Sequence, residues 1–128
     1  MLQQNKPEDF VIATGQQHSV QQFIEWSAKE IGVTLKFSGV GIEKIGEVEK
    51  ISKVNGNLIA TDLKKGDVII KIDPKYYRPT EVETLLGDPS KARKKLGWVS
   101  EISVQEMCGE MMANDLREAL SQKLKLKI

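Results

Sequence analysis

Residues 9–39 read DFVIATGQQHSVQQFIEWSAKEIGVTLKFSG, and the expected fold turns on how this stretch divides. DFVIATG (9–15) is a short apolar run ended by glycine, the pattern of a buried strand in a parallel sheet. Ser19 and Gln22 have capping-box spacing, in which a hydroxyl and an amide oxygen each take up a free N–H at a helix start. Val20, Phe23, Ile24, Ala28 and Ile31 then recur at helical spacing, and Gly32 is placed to end the helix. TLKFSG (34–39) is β-prone again. Strand, helix and strand make a β-α-β unit, with a right-handed crossover if both strands lie parallel in one sheet. Such a unit needs cover on both sheet faces and belongs inside a larger α/β protein.

Outward from that unit the character changes. EVEKISKVNGNLIATD holds Asn55-Gly56 between two β-prone runs, a strong hairpin signal, and GDVIIKID (66–73) reads as a further strand. These short strands predict a small antiparallel appendage on the α/β framework. Beyond residue 88 the pattern is helical. Asp88 is placed to cap, Pro89 to take the first helical position, and SKARKKLG runs to a glycine stop. Ser103 and Glu106 form a second capping box. Val104, Met107, Cys108, Met111, Met112 and Leu116 then mark one side of a helix reaching about residue 122, its methionines read as core filler. The closing KLKLKI reads as a short edge strand or a frayed tail.

With 128 residues the chain is long enough for one domain, spanning 1–128, and too short for two independent cores. Nineteen basic and 18 acidic side chains leave a net charge of +1, which argues against a general nucleic-acid binder. Lys91, Arg93, Lys94 and Lys95 read as the solvated side of a helix. Cys108 is the only cysteine and His18 the only histidine, so no internal disulfide and no multi-cysteine zinc site can be built. Cys108 sits in an apolar helical pattern and reads as a buried, unreactive thiol. No run approaches the ~20 apolar residues of a membrane span, and a reducing, cytoplasmic setting is expected.

The motifs of catalysis do not assemble. GVGIEKIG (39–46) fails as a dinucleotide fingerprint, because Lys44 stands where the third glycine belongs and no helix pattern follows. Neither Tyr76 nor Tyr77 has a lysine four residues on, and no serine elbow or histidine triad is present. No catalytic or metal-ligating residue is therefore assigned.

One stretch carries a binding signal: YYRPTEVETLLGDPSKARKKLGW, residues 76–98. Pro79 biases Arg78 towards extended backbone, and Thr80 with Glu83 could cap a short turn in TEVE. Arg78 would then leave a loop just ahead of a helix start, a setting that suits phosphate oxygens. Glu81, three residues on, only accepts hydrogen bonds when ionised, and could receive those of two ribose hydroxyls. The competing reading is a surface Arg78–Glu81 salt bridge, worth little, and local physics alone favours it.

EDFVIATG with its following helix, and GDVIIKIDPKYYRPTEVETLLGDPSKARKKLGW, resemble the C-terminal part of the GDP-mannose 4,6-dehydratases. That family lies within the extended short-chain dehydrogenase/reductases acting on nucleotide sugars. The resemblance is dense at residues 8–32 and 66–116. It implies a Rossmann-type α/β protein in which Arg78 meets the pyrophosphate and Glu81 the ribose of GDP-mannose. It also implies an enzyme that oxidises mannose C4 with NADP, eliminates water across C5 and C6, and returns the hydride at C6. The product, GDP-4-keto-6-deoxymannose, leads to GDP-fucose and related deoxysugars. The fingerprint glycines and catalytic group of that family have no counterpart here. The chain therefore resembles about the last third of such an enzyme, expected to bind no NADP and to be inactive alone. Its expected partners are GDP-mannose or GDP, together with further copies of itself or an N-terminal NADP-binding half. The alternative is a non-catalytic nucleotide-binding or self-associating module.

Overall fold

A computed structural model of the chain describes residues 4–60, 62–78 and 84–125, the side chains of 123–125 excepted. Helix α1 spans Val20–Glu30. Its start is the expected capping box: Gln22 N–H donates to Ser19 Oγ at 3.1 Å, and Ser19 N–H donates to Gln22 Oε1 at 2.9 Å. Gly32 follows the helix with φ +79°, in the left-handed region where a side chain is penalised.

Three strands form one sheet in the order β1 (Val33–Ser38), β2 (Ile45–Ile51), β3 (Val68–Lys71), and both pairings are antiparallel. The β-α-β unit expected over residues 9–39 is not formed. Residues 9–15 enter no ladder, and Val11 and Ile12 are 52% and 46% exposed. The cause is partner choice. The paired edge of β1 faces β2, while residues 9–15 lie against residues 87–95. The apolar run is therefore not the expected buried strand, because no neighbouring strand within the described residues turns it into sheet.

In β1, side chains alternate between core and solvent, with Val33, Leu35 and Phe37 turned inward. Ala28 of α1, Val33 and Val48 form the buried core, with Ile31, Leu35, Ile51, Ala60 and Leu63 packed around it. The register sets Phe37 opposite Gly46 and Gly46 opposite Ile70. A Cβ at Gly46 would lie 2.9 Å from Ile70 Cβ and 3.0 Å from Phe37 Cε1, so only glycine lets the two large side chains close over β2.

The Asn55-Gly56 turn forms as expected, with φ of +49° and +79° and reciprocal bonds of 2.8 and 3.0 Å between Val54 and Asn57. Its ladder is a single bridge, because β2 is already paired on both sides and the chain after the turn sends Ala60 and Leu63 to the core.

Helix α2 spans Ser90–Leu96 and α3 spans Val104–Lys125. The start of α2 lies one residue later than expected: Pro89, at φ −85° and ψ 9°, is itself the cap and offers no side-chain bond. Asp88 just before it accepts the Ser90 N–H at 2.9 Å, and Gly97 stops the helix with φ +65°. The second capping box also forms: Ser103 N–H donates to Glu106 Oε2 at 2.8 Å, and Glu106 N–H donates to Ser103 Oγ at 3.2 Å. Helix α3 packs on α1 through Cys108, which is fully buried. Met107 and Met111, expected in the core, are 44% and 47% exposed, since only the Val104, Cys108, Met112, Leu116 line is turned inward. The helix also runs past the expected end at 122, so Lys123–Lys125 are neither strand nor tail; residues 126–128 lie outside the described residues. No helix among the described residues is long and apolar enough to cross a membrane.

Candidate nucleotide-binding loop

The loop that carries Arg78 leaves the end of β3. Asp73 shapes it, accepting the Lys75 N–H on Oδ1 at 2.9 Å and the Tyr76 N–H on its carbonyl at 3.0 Å, which closes a 3-10 turn over Pro74–Tyr76. Tyr77 is back in extended conformation, and its hydroxyl abuts Gly41, where a Cβ would stand 3.3 Å from it. Gly41 belongs to the GVGIEKIG stretch rejected above as a fingerprint. Gly39 and Gly41, with φ of +82° and +58°, instead build the tight link between β1 and β2. Only the 3-10 turn Gly41–Glu43 lies there, and no α-helix opens.

Arg78 comes next. It is exposed, and among the described residues it has no ion-pair or hydrogen-bond partner. Glu81 lies outside the described residues, as do Pro79, Thr80, Val82 and Glu83, so the expected TEVE turn does too. The chain returns with Leu85 and Leu86, 79% and 60% exposed. Gly87 then presses against the N-terminal segment, since a Cβ there would meet Ala13 Cβ at 2.7 Å. The Ser90 hydroxyl, followed by its N–H, holds the Asp88 carboxyl below the usual range.

The basic run of α2 is less free than expected. Lys95 Nζ donates to both oxygens of Glu8, at 2.8 and 2.7 Å, and Lys91 Nζ lies 3.1 Å from Glu8 Oε2. Lys95 first and Lys91 second hold the Glu8 carboxyl below its ordinary value. Arg93 and Lys94 keep the solvated role.

Two hollows escaped the sequence reading, because each joins distant residues. A polar cleft of about 140 Å³ lies between Thr14, Gln16 and His18 on one side and Ser100, Ile102 and Ser103 on the other. Its only foreshadowing was the glycine ending an apolar run ahead of a helix. His18 stands edge-on to Trp26 with ring centroids 5.1 Å apart. An apolar cavity of about 220 Å³ lies between α1 and the sheet, lined by Val20, Ile24, Phe37, Ile70 and Ile72 with Gln21 and Lys44 at its margin. Cys108 has its sulfur 3.2 Å from Ser27 Oγ, well away from solvent.

The loop, the capped turn before it and the helix after it all fall within residues 1–111, which match the family model described as GDP-mannose 4,6 dehydratase. The chain belongs to the GDP-mannose 4,6-dehydratase family. It is 63% identical over 119 residues to a GDP-mannose 4,6-dehydratase of Vibrio cholerae, covering 93% of this chain and 31% of that protein. A GDP-mannose 4,6-dehydratase of Yersinia enterocolitica is 58% identical over the same shares. GDP-mannose 4,6 dehydratase 2 of Caenorhabditis elegans is 47% identical over 91% of this chain and 26% of its own length. The chain thus spans about a third of the length of these dehydratase relatives. Nothing in its glycine-rich link fits a dinucleotide, because the turn that would cradle a pyrophosphate is a 3-10 link between antiparallel strands.

Proposed function

We propose that these residues form the GDP-mannose-binding part of a GDP-mannose 4,6-dehydratase, with Arg78 on the pyrophosphate and Glu81 on the ribose hydroxyls. The observation that carries the reading is the state of Arg78 in a chain of this family. Its guanidinium is exposed beyond a capped turn and is claimed by no other described group. A guanidinium offers a planar fork of donors that matches two phosphate oxygens, and it stays charged throughout the physiological range. The role is to bind and orient: pyrophosphate and ribose are held while reaction proceeds elsewhere.

NADP supplies hydride chemistry in the proposed whole enzyme, and no residue described here is assigned to it. A Rossmann-type sheet is part of the same proposal. Phe10–Ala13 are apolar and enter no ladder among the described residues, which suits a segment that pairs with the sheet of a longer polypeptide. Differential stabilisation of a transition state needs the sugar set against a nicotinamide and an acid-base group, so binding without them gives no turnover. The purified chain is expected to form no keto-sugar from GDP-mannose and NADP; product above a blank refutes this part.

Calorimetric titration with GDP tests the binding role. A charge-assisted hydrogen-bond set is worth about 1.5–3 kcal/mol, so Arg78→Ala should weaken binding roughly 10- to 150-fold. Equal heats for the two proteins remove Arg78 from the site.

A second reading, self-association, is favoured by exposed apolar side chains near the Gly87 contact: Val11, Ile12, Leu85 and Leu86. Sedimentation at micromolar concentration tests it, and monomers count against it.

A further inference from the structure

We infer that Lys91 is the fastening that holds the N-terminal segment on α2, and that residues 8–14 open as a separate unit when it is removed. This goes beyond the nucleotide reading and does not depend on it. One ammonium group meets three consecutive residues in three ways. Lys91 Nζ lies 2.8 Å from the Asp9 carbonyl oxygen, 3.1 Å from Glu8 Oε2 and 4.9 Å from the centre of the Phe10 ring. An ammonium carries three donors and no acceptor, so it can serve the carbonyl and the carboxylate together while facing a ring.

The segment has little else of its own. Among the described residues, the backbone N–H groups of Phe10, Val11, Ile12 and Ala13 donate to no acceptor. No ladder therefore holds them in place. What remains is a seam along residues 87–95: Gly87 against Ala13 and Val11, Pro89 against Gly15, and Lys95 on Glu8. A lone exposed ion pair contributes little, and Lys91 and Glu8 are 45% and 34% exposed. The carbonyl contact makes the difference, because it fixes backbone and is not screened as a charge pair is. Segments held by a few such contacts open below the global unfolding free energy.

Chymotryptic cleavage of the full chain tests this. The Phe10–Val11 bond lies inside the fastened segment, and its product is identified by mass. Lys91→Met keeps the apolar stem and removes the charge. It should be cut there about five- to tenfold faster than wild type, with an unchanged urea midpoint, because opening is local. Lys91→Arg should stay within about twofold of wild type, and Lys95→Met, which loses only a Glu8 contact, should fall between. Cleavage of Lys91→Met at the wild-type rate overturns the inference. So does a midpoint that drops in step with cleavage, since Lys91 would then support the whole domain.

Discussion

Gly32→Ala is the substitution that most sharply tests the packing of α1 on the sheet. Gly32 has φ +79°, and its carbonyl accepts the Ser52 N–H at 2.8 Å. A Cβ at this position would stand 2.2 Å from the Ser52 carbonyl oxygen and 3.1 Å from Val54 Cγ2. The obstacle is backbone, and it is bonded to Gly32 itself, so no rotamer change relieves it. Left-handed backbone costs an alanine about 1–2 kcal/mol. Forcing apart two bonded backbone segments adds about 1–3 kcal/mol, as overpacking does. The sum is about 2–5 kcal/mol, a large share of the roughly 5–15 kcal/mol that stabilises a domain. Gly56→Ala is the control. It has the same φ, +79°, but no atom lies within 4 Å of its Cβ, so only the conformational cost applies. In urea, with a slope of roughly 2 kcal/mol per molar, Gly32→Ala should lower the midpoint by about 1–2.5 M and Gly56→Ala by about 0.5–1 M. Equal midpoints for the two variants would show that the Gly32–Ser52 approach is not limiting.

Two further outcomes follow from the helix ends and the helix contact. The Ser103 N–H, and secondarily its hydroxyl, hold the Glu106 carboxyl below its ordinary 4.5. Its contribution is therefore complete above pH 4.5 and fades as pH falls through the lowered folded value. The thermal-midpoint gap between wild type and Glu106→Gln should narrow from about pH 7 to about pH 3, and a gap that widens towards acid refutes the assignment. Cys108 is fully buried beside Ser27, so a thiol reagent should label the native chain at least about 100-fold more slowly than the urea-unfolded chain; prompt native labelling would place the thiol at the surface.

The features legible in the sequence are those made by neighbours in the chain. Both capping boxes use residues three apart, and their geometry is complete within one turn of helix. The Asn55-Gly56 turn depends on two residues that tolerate positive φ. Arg78 stood out for local reasons too, being followed by proline and an acid three residues on. What it meets is a question about distant groups. The run 9–15 reads as a buried strand from its apolar pattern, but that pattern does not record whether a neighbouring strand is there to pair with it. Nor did spacing reveal which methionines of α3 face solvent, because α1 covers only a narrow line centred on Cys108.

By itself, then, the sequence determined where α1 and α3 begin, where the chain turns, and which family motifs it carries, because those depend on backbone preferences and hydrogen bonds across a few residues. Tertiary structure decided that the sheet is antiparallel, that Gly46 rather than a larger residue lies between Phe37 and Ile70, and that Lys91 meets Asp9 eighty-two residues away. Pairing and close approach are set by competition among surfaces for one another, and no local pattern records which surface wins.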